Sequence, residues 1–543
     1  MNKNFIEGRS DGTSWHNTAK SNGLVATVNE AVVQGSNVFL PGEIPFGKPG
    51  GKSADAVVVS SEPGTAIGPL KLETGTLDAA KGRTEEGSSD RVEDIQADTA
   101  CRRGKGESRH DGKNGDSRAE NLMERVLAPD NLKAAWKRVR SNKGAPGIDG
   151  MTVEDFPAFW RKEWTRIRTA IMEGTYRPAP VRRVFIPKPD GSLRPLGVPT
   201  VLDRLIQQAV AQVLTPLFEV DVSEHSYGFR EGHNAHEAVA EMESGWNEGR
   251  RHAIDCDLKA FFDTVNHDKL MGELRQKVRD RKVLGLIRCY LQAGVVMPDG
   301  TREATPLGVP QGGPLSPMLA NVVLTPLDKE LERRGHKFAR YADDFIVMVK
   351  SAKAAKRVMA SLIRFIEEKL KLVVNRTKSK SAPLKACAFL GFQIGIRGQV
   401  VWTPKVLARF KQRVREITRR NRGHRVQDVI DELRRYVVGW LNYFGISHTF
   451  KQVIALADWV RRRVRLYYWK QWKQPRTRRR NLIKLGADPD KVKLATRSRK
   501  GYWRMSSNSI VQMAMSNQWL EEQGVPNMRT VWIKLHYGPD AQV

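Results

Sequence analysis

From Asn131 onward apolar residues return every three or four positions, through Trp136 and Val139, the spacing of one helix face. The preceding run Leu122-Met-Glu-Arg-Val-Leu127 begins the same way. Gly144-Ala-Pro-Gly-Ile-Asp-Gly150 interrupts it with loop chemistry, and a second amphipathic stretch covers roughly residues 152 to 172. Val181-Arg-Arg-Val-Phe-Ile-Pro187 alternates as a strand does, with Pro189-Asp-Gly191 as its turn. After Pro199 a helical stripe runs through Leu202, Leu205, Ile206, Ala209, Val210 and Val213. Strand-like and helical patterns mix to about residue 400, and beyond Pro404 nearly every stretch reads as helix. Residues 1–120 show no sustained period and contain no Tyr; short runs such as Ala56-Val-Val-Val59 stand isolated among Gly and Ser. That segment reads as a disordered extension, with Met123 as a candidate internal start.

Composition sharpens the picture by where its charge falls. The 543 residues carry 91 Lys+Arg against 60 Asp+Glu, a net +31. Residues 1–120 hold 15 bases against 18 acids, 121–400 hold 45 against 32, and 401–543 hold 31 against 10. A final quarter that basic calls for a polyanion, and nucleic acid rewards many Lys and Arg spread along a surface. A membrane partner is not expected: no anchor or lipidation signal is present, and apolar runs such as Phe345–Val349 are far too short to span a bilayer. Cys101, Cys256, Cys289 and Cys387 lie far apart without a CxxC pair, which excludes a disulfide scaffold and fits a reducing, cytoplasmic setting.

The chemistry-bearing segments are acidic. Ala253-Ile-Asp-Cys-Asp-Leu-Lys-Ala-Phe-Phe-Asp263 and Phe338-Ala-Arg-Tyr-Ala-Asp-Asp-Phe-Ile-Val-Met-Val349 both set carboxylates into β-forming apolar sequence. Burying unpaired carboxylates is costly, so two acids at a hairpin turn make sense where a divalent cation neutralises them. Asp257, at the end of another apolar strand, would meet Asp343 and Asp344 across the sheet, and such an oxygen set suits Mg²⁺. Taken alone, Asp343 and Asp344 would also serve as ordinary turn residues. Between the two segments lies Thr305-Pro-Leu-Gly-Val-Pro-Gln-Gly-Gly-Pro-Leu-Ser-Pro317, a Gly-rich loop that admits close approach by a substrate.

In their order these motifs, with Gly197-Val-Pro-Thr-Val-Leu-Asp-Arg204, Ser226-Tyr-Gly-Phe-Arg230, Tyr341-Ala-Asp-Asp344 and Phe389-Leu-Gly-Phe392, resemble one family. It is the reverse transcriptase/maturase family encoded within bacterial group II introns, and the resemblance, nearest its compact class C branch, covers about residues 122 to 536. It implies an α+β right-hand polymerase: fingers and palm with an antiparallel sheet and helices, then an all-α thumb and a small basic DNA-binding domain. The expected boundaries are 1–120 for the disordered extension and 121–400 for the N-terminal extension, fingers and palm. The helical thumb/maturase domain would take 401–475 and the basic DNA-binding domain 476–543.

The resemblance also implies roles. Asp257, Asp343 and Asp344 would hold two Mg²⁺ ions, with Mn²⁺ as a substitute, and carry catalysis. Lys188 and Arg194 in the fingers hairpin would hold the incoming triphosphate. Phe262 would act as a steric gate favouring dNTP over NTP, with Phe261 left in the core. Gln311 would lie near the nucleotide and template base, and Lys378 near phosphate. Ser226 to Arg230 would pack under the template in the fingers, and the Arg and Lys of residues 461–473 would face phosphates. The implied activity is RNA-directed DNA polymerisation with maturase assistance to splicing and retrohoming; the partners are intron RNA template, DNA target or primer, and dNTPs. The chain ends at Val543 without the paired cysteines of the family's endonuclease domain, so a primer other than an enzyme-nicked strand is expected. Two alternatives stand beside this: a domesticated relative serving phage defence, and an RNA-binding splicing cofactor without polymerase activity.

Overall fold

The computed structural model describes residues 121–187, 191 and 193–541. The extension expected over 1–120, and Lys188 with Pro189 and Asp190 of the hairpin turn, lie outside the described residues. The described chain begins with α1 (Leu122–Val126), α2 (Pro129–Asn142) and α3 (Phe156–Glu173), each burying its apolar face. Proline occupies the first turn of α2 and α3, where its missing N–H would have had no partner anyway. A hairpin follows, β1 (Val181–Pro187) and β2 (Leu193–Val198), antiparallel from Arg182↔Val198 to Pro187↔Leu193. The Thr200 side chain caps α4 (Val201–Glu219) by accepting from the Asp203 N–H. α4 buries residues on nearly every side, so it runs through the core rather than over it.

Next come α5 (Ala235–Asn247), β3 (His252–Cys256), the single-turn α6 (Phe261–Thr264), α7 (His267–Arg275) and α8 (Arg281–Leu291). The short strands β4 (Val295–Val296) and β5 (Arg302–Glu303) extend the first hairpin into a four-stranded sheet ordered β2-β1-β4-β5. After α9 (Ser316–Arg333), β6 (Lys337–Tyr341) and β7 (Asp344–Val349) make a second hairpin. α10 (Ala352–Arg364), β8 (Lys380–Pro383), β9 (Phe392–Ile394) and β10 (Val400–Trp402) complete the mixed region.

The second sheet, ordered β6-β7-β3-β8 and antiparallel throughout, positions the acidic segments. Successive side chains of a strand point to opposite faces, and β7 uses both. Phe345, Val347 and Val349 join one core with Ile254, while Ile346 and Met348 join a second core with Ala253 and Ala339. A strand covered on both faces reads as a continuous apolar run, as β7 does.

From Pro404 the chain is all helical: α11 (Pro404–Ile417), α12 (Val426–Phe444), α13 (Phe450–Gln471), α14 (Pro475–Lys484) and α15 (Pro489–Arg497), then α16 (Tyr502–Met505), α17 (Ser509–Ala514), α18 (Asn517–Glu522) and α19 (Met528–Tyr537). Val437, Trp440, Leu441 and Phe444 of α12 are buried together, as their helical spacing requires. This is the α+β order that the sequence predicts, an antiparallel sheet wrapped by helices and followed by an all-α segment. No helix among the described residues is long and apolar enough to cross a membrane.

Candidate active site

β3 and β7 are paired from His252↔Val349 to Cys256↔Phe345, so one further step of the register sets Asp257 opposite Asp344. Tyr341 pairs with Asp344, leaving Ala342 and Asp343 as a two-residue turn between β6 and β7. Ala342 takes a left-handed φ of 57°, which a side chain disfavours, so surrounding contacts must hold it there. Gly228 supplies one: a Cβ on it would meet the Ala342 nitrogen at 2.2 Å, so only glycine lets the two backbones lie this close.

Asp257 is anchored from the segment before β8. Its N–H donates to Ser379 Oγ at 3.0 Å, its carbonyl accepts from the Asn375 N–H at 2.8 Å, and its Oδ2 accepts from Asn375 Nδ2 at 2.8 Å. Asp257, Asp343 and Asp344 are each half-buried. Burial pushes the Asp344 carboxyl up to about 7, and the negative charges of Asp343, Asp257 and Asp255 add to that push while Lys378 opposes it. Asp343 is raised by burial and by Asp257, with Arg194 and Arg340 acting in the opposite sense. Three half-buried carboxylates thus crowd one another without enough positive charge to balance them, the circumstance in which a hard divalent cation is favoured. Among the described residues no group of three or more His, Cys, Asp or Glu side chains is already gathered closely enough to hold a metal ion.

The remaining predicted site residues divide into two groups. Arg194 on β2 and the exposed Lys378 act electrostatically on the acid turn. Phe262 and Gln311 are joined through the Gly-rich loop: the Val309 N–H donates to the Phe262 carbonyl at 2.6 Å, and the Gln311 carbonyl accepts from the Gly197 N–H at 2.7 Å. Gly312 (φ 117°) allows that approach, since a Cβ there would meet the Gly197 oxygen at 2.5 Å. Phe262 lines a cavity of about 400 Å³ with Arg183, Phe185, Pro195 and Asp263. Phe261 and Phe262 are both buried, so burial alone does not separate the gate from the core residue. Lys188 lies outside the described residues.

Ser226–Arg230 packs against β6: Ser226 bridges Arg340, and the Tyr227 N–H donates to the Arg340 carbonyl at 2.8 Å, so the segment backs the acid turn. One expectation is corrected. In α13, Arg463 and Arg465 do not face outward to phosphate. Arg465 is buried and donates to the Met515 carbonyl and to Asn517 Oδ1, each at 2.8 Å, and Arg463 Nε donates to Thr418 Oγ1 at 2.8 Å. Asn375 and Ser379 were missed as site residues; their only local signal is the polar run Asn375-Arg-Thr-Lys-Ser379 between two strand-like stretches.

Comparison with known proteins places this geometry. Residues 186–394 match the reverse transcriptase (RNA-dependent DNA polymerase) family, and residues 407–486 match the group II intron maturase-specific domain. Over 304 residues the chain is 33% identical to protein YkfC of Escherichia coli, covering 48% of this chain and 79% of that protein. The group II intron-encoded protein LtrA of Lactococcus lactis is 30% identical over 345 residues, 51% of this chain and 57% of LtrA. The chain belongs to the group II intron reverse transcriptase/maturase family. The retron Mx65 reverse transcriptase of Myxococcus xanthus is 29% identical over 205 residues, 36% of this chain and 46% of that enzyme. The reverse transcriptase match includes β3, the Gly-rich loop and the β6–β7 turn, so the crowded carboxylates sit inside the polymerase portion. As a reverse transcriptase, this protein catalyses RNA-directed DNA synthesis and depends on a divalent cation. The chain spans just over half the length of LtrA.

Proposed function

We propose that this protein is encoded by a group II intron, extends a primer on its intron RNA, and assists the splicing and retrohoming of that RNA. The observation that carries the reading is the meeting of Asp257, Asp343 and Asp344 across β3 and the β6–β7 turn, with their charges under-compensated. Two Mg²⁺ ions bound by these carboxylates would activate the primer 3′-hydroxyl and stabilise the leaving pyrophosphate. Arg194, with Lys188, holds the triphosphate, the guanidinium fork matching two phosphate oxygens. Phe262 closes the nucleotide site against a 2′-hydroxyl, Gln311 lies by the nucleotide and template base, and Lys378 balances phosphate charge. Primer extension on an RNA template with Mg²⁺ tests the polymerase reading: templated dNTP addition is expected, and none by folded full-length protein would overturn it. Splicing of the parent intron RNA at low Mg²⁺, with and without the protein, tests the maturase reading in the same way.

The helices beyond residue 475 support a partner in duplex DNA. α14, the turn Leu485–Asp488 and α15 have the form of a helix-turn-helix, with Gly486 at φ 83° in the turn. Leu482, Ala487, Val492 and Ala495 are buried between the helices, and α17 packs against both. The outer face of α15 carries exposed Lys491, Lys493, Leu494 and Arg497. B-form DNA admits an α-helix into its major groove, whereas the A-form RNA groove is too deep and narrow. On that ground α15 is the groove-facing element of the DNA-binding region.

A further inference from the structure

Arg340, near the end of β6, is fully buried, and so is Asp328 of α9. The guanidinium meets the carboxylate as a fork: Nε donates to Asp328 Oδ1 at 2.8 Å and Nη2 to Oδ2 at 2.5 Å. Its remaining nitrogen, Nη1, donates to Asn321 Oδ1 at 2.9 Å and to the Ala342 carbonyl at 3.1 Å. Ala342 is the left-handed residue of the turn, directly before Asp343. Asn321 and Asp328 lie two turns apart on one face of α9, and Asn321 Nδ2 in turn donates to the Gly228 carbonyl at 3.1 Å. Gly228 is the residue whose missing side chain lets its backbone abut Ala342. Arg340 is further locked on its own backbone, its N–H donating to the His225 carbonyl at 2.9 Å.

A buried ion pair is a poor device for stability alone, because apolar residues of similar volume commonly hold a core as well or better. Here the one guanidinium nitrogen not taken up by Asp328 reaches the backbone of the acid turn at Ala342, and Asn321 holds the Gly228 backbone that abuts it. We propose that Arg340 is a positioning residue for nucleotide addition: clamped by Asp328 and Asn321, it fixes the Ala342 carbonyl and with it the direction in which Asp343 and Asp344 present their carboxylates. This rests on the reading of those carboxylates as the metal-holding, catalytic groups, and it goes beyond that reading by naming what aims them.

Three variants of the full chain test it. Arg340→Met combined with Asp328→Leu removes both charges and keeps apolar bulk; Arg340→Lys keeps the charge and loses the fork; Gly228→Ala pushes on Ala342 while leaving the ion pair in place. Each is compared with wild type for thermal unfolding, primer–template affinity, single-turnover rate and nucleotide affinity, and for Mn²⁺ binding read from the free-ion electron paramagnetic resonance signal. Positioning predicts folded proteins that bind primer–template normally, with the rate at saturating nucleotide lowered about 10- to 100-fold and Mn²⁺ bound about 10-fold or more weakly. Folded variants with wild-type rate and wild-type Mn²⁺ affinity would overturn it. Should the double variant fail to fold, Arg340→Lys and Gly228→Ala decide by the same two readouts. Absence of incorporation by wild type would instead strike the polymerase reading, and the Mn²⁺ comparison would still decide whether Arg340 aims the carboxylates.

Discussion

Asn375 Nδ2 donates to Asp257 Oδ2 at 2.8 Å, across 118 positions of sequence. The same asparagine donates its backbone N–H to the Asp257 carbonyl, and its Oδ1 accepts from Thr377 Oγ1 at 2.8 Å, so its own amide cannot rotate freely. One carboxylate oxygen of Asp257 is thereby fixed in place. Asn375→Ala should lower single-turnover dNTP addition by about 10- to 100-fold, the usual effect of losing a group that orients a metal ligand. Rapid-quench primer extension measures it, and a wild-type rate would remove Asn375 from the site.

Phe262 is 5% exposed and lies against the cavity shared with Arg183 and Phe185. Truncating it therefore acts twice. Phe262→Ala should cost about 3 kcal/mol of stability as a large-to-small core change. It should also lower the preference for dNTP over NTP, in kcat/KM, by on the order of 100-fold by opening space beside the sugar. Steady-state incorporation of matched dNTP and NTP, run well below the unfolding midpoint, separates the effects: lost stability with unchanged preference would leave Phe262 a core residue only.

Much of this arrangement was legible in sequence, and the exceptions have physical causes. β7 and α4 follow from a continuous apolar run and a 3.6-residue stripe, because their neighbours cover whole faces, and β1 follows from its alternation although only Val181 of it is buried. β8 hides because it is an edge strand: Lys380-Ser-Ala-Pro383 carries the Lys and Pro that suit an edge and spoil a strand pattern. The three aspartates stand out because charge inside an apolar strand is conspicuous. Asn375, Asp328 and Arg340 do not, since their significance lies in partners far along the chain that only the folded sheet supplies. Arg465 misleads for the opposite reason, lying in a basic run yet turned inward by α13.

His236 on α5 joins the mixed region to α12, with its Nε2 at 2.7 Å from the Tyr443 carbonyl. Burial lowers its pKa below the usual value near 6.5, outweighing the opposing pulls of the Tyr443 carbonyl and Glu237. The unfolded chain then takes up a proton at a higher pH than the folded one. Stability should be unaffected above about pH 7 and should fall progressively as pH drops below about 6.5. Urea unfolding at pH 7.5 and 5.5 should show a smaller drop in His236→Gln than in wild type; equal drops would assign the acid sensitivity elsewhere.

Lys491, Lys493 and Arg497 are exposed on the outer face of α15. If that face follows DNA phosphates, replacing all three by Ala should weaken duplex binding and flatten the slope of log affinity against log salt by about one unit per side chain. RNA-templated extension of a pre-annealed primer should be largely retained at low salt. Fluorescence anisotropy from 50 to 300 mM salt measures the slope, and an unchanged slope would exclude α15 from the DNA interface.

The most direct measurement is single-nucleotide primer extension on an RNA template with Mg²⁺, run with folded full-length wild type and with Asp257→Asn and Asp343→Asn. Wild type should add the complementary dNTP, and each substitution, nearly isosteric but uncharged, should lower the rate at least about 100-fold while primer–template affinity stays the same. Template-directed addition that survives both substitutions at the wild-type rate would contradict an active centre at these carboxylates.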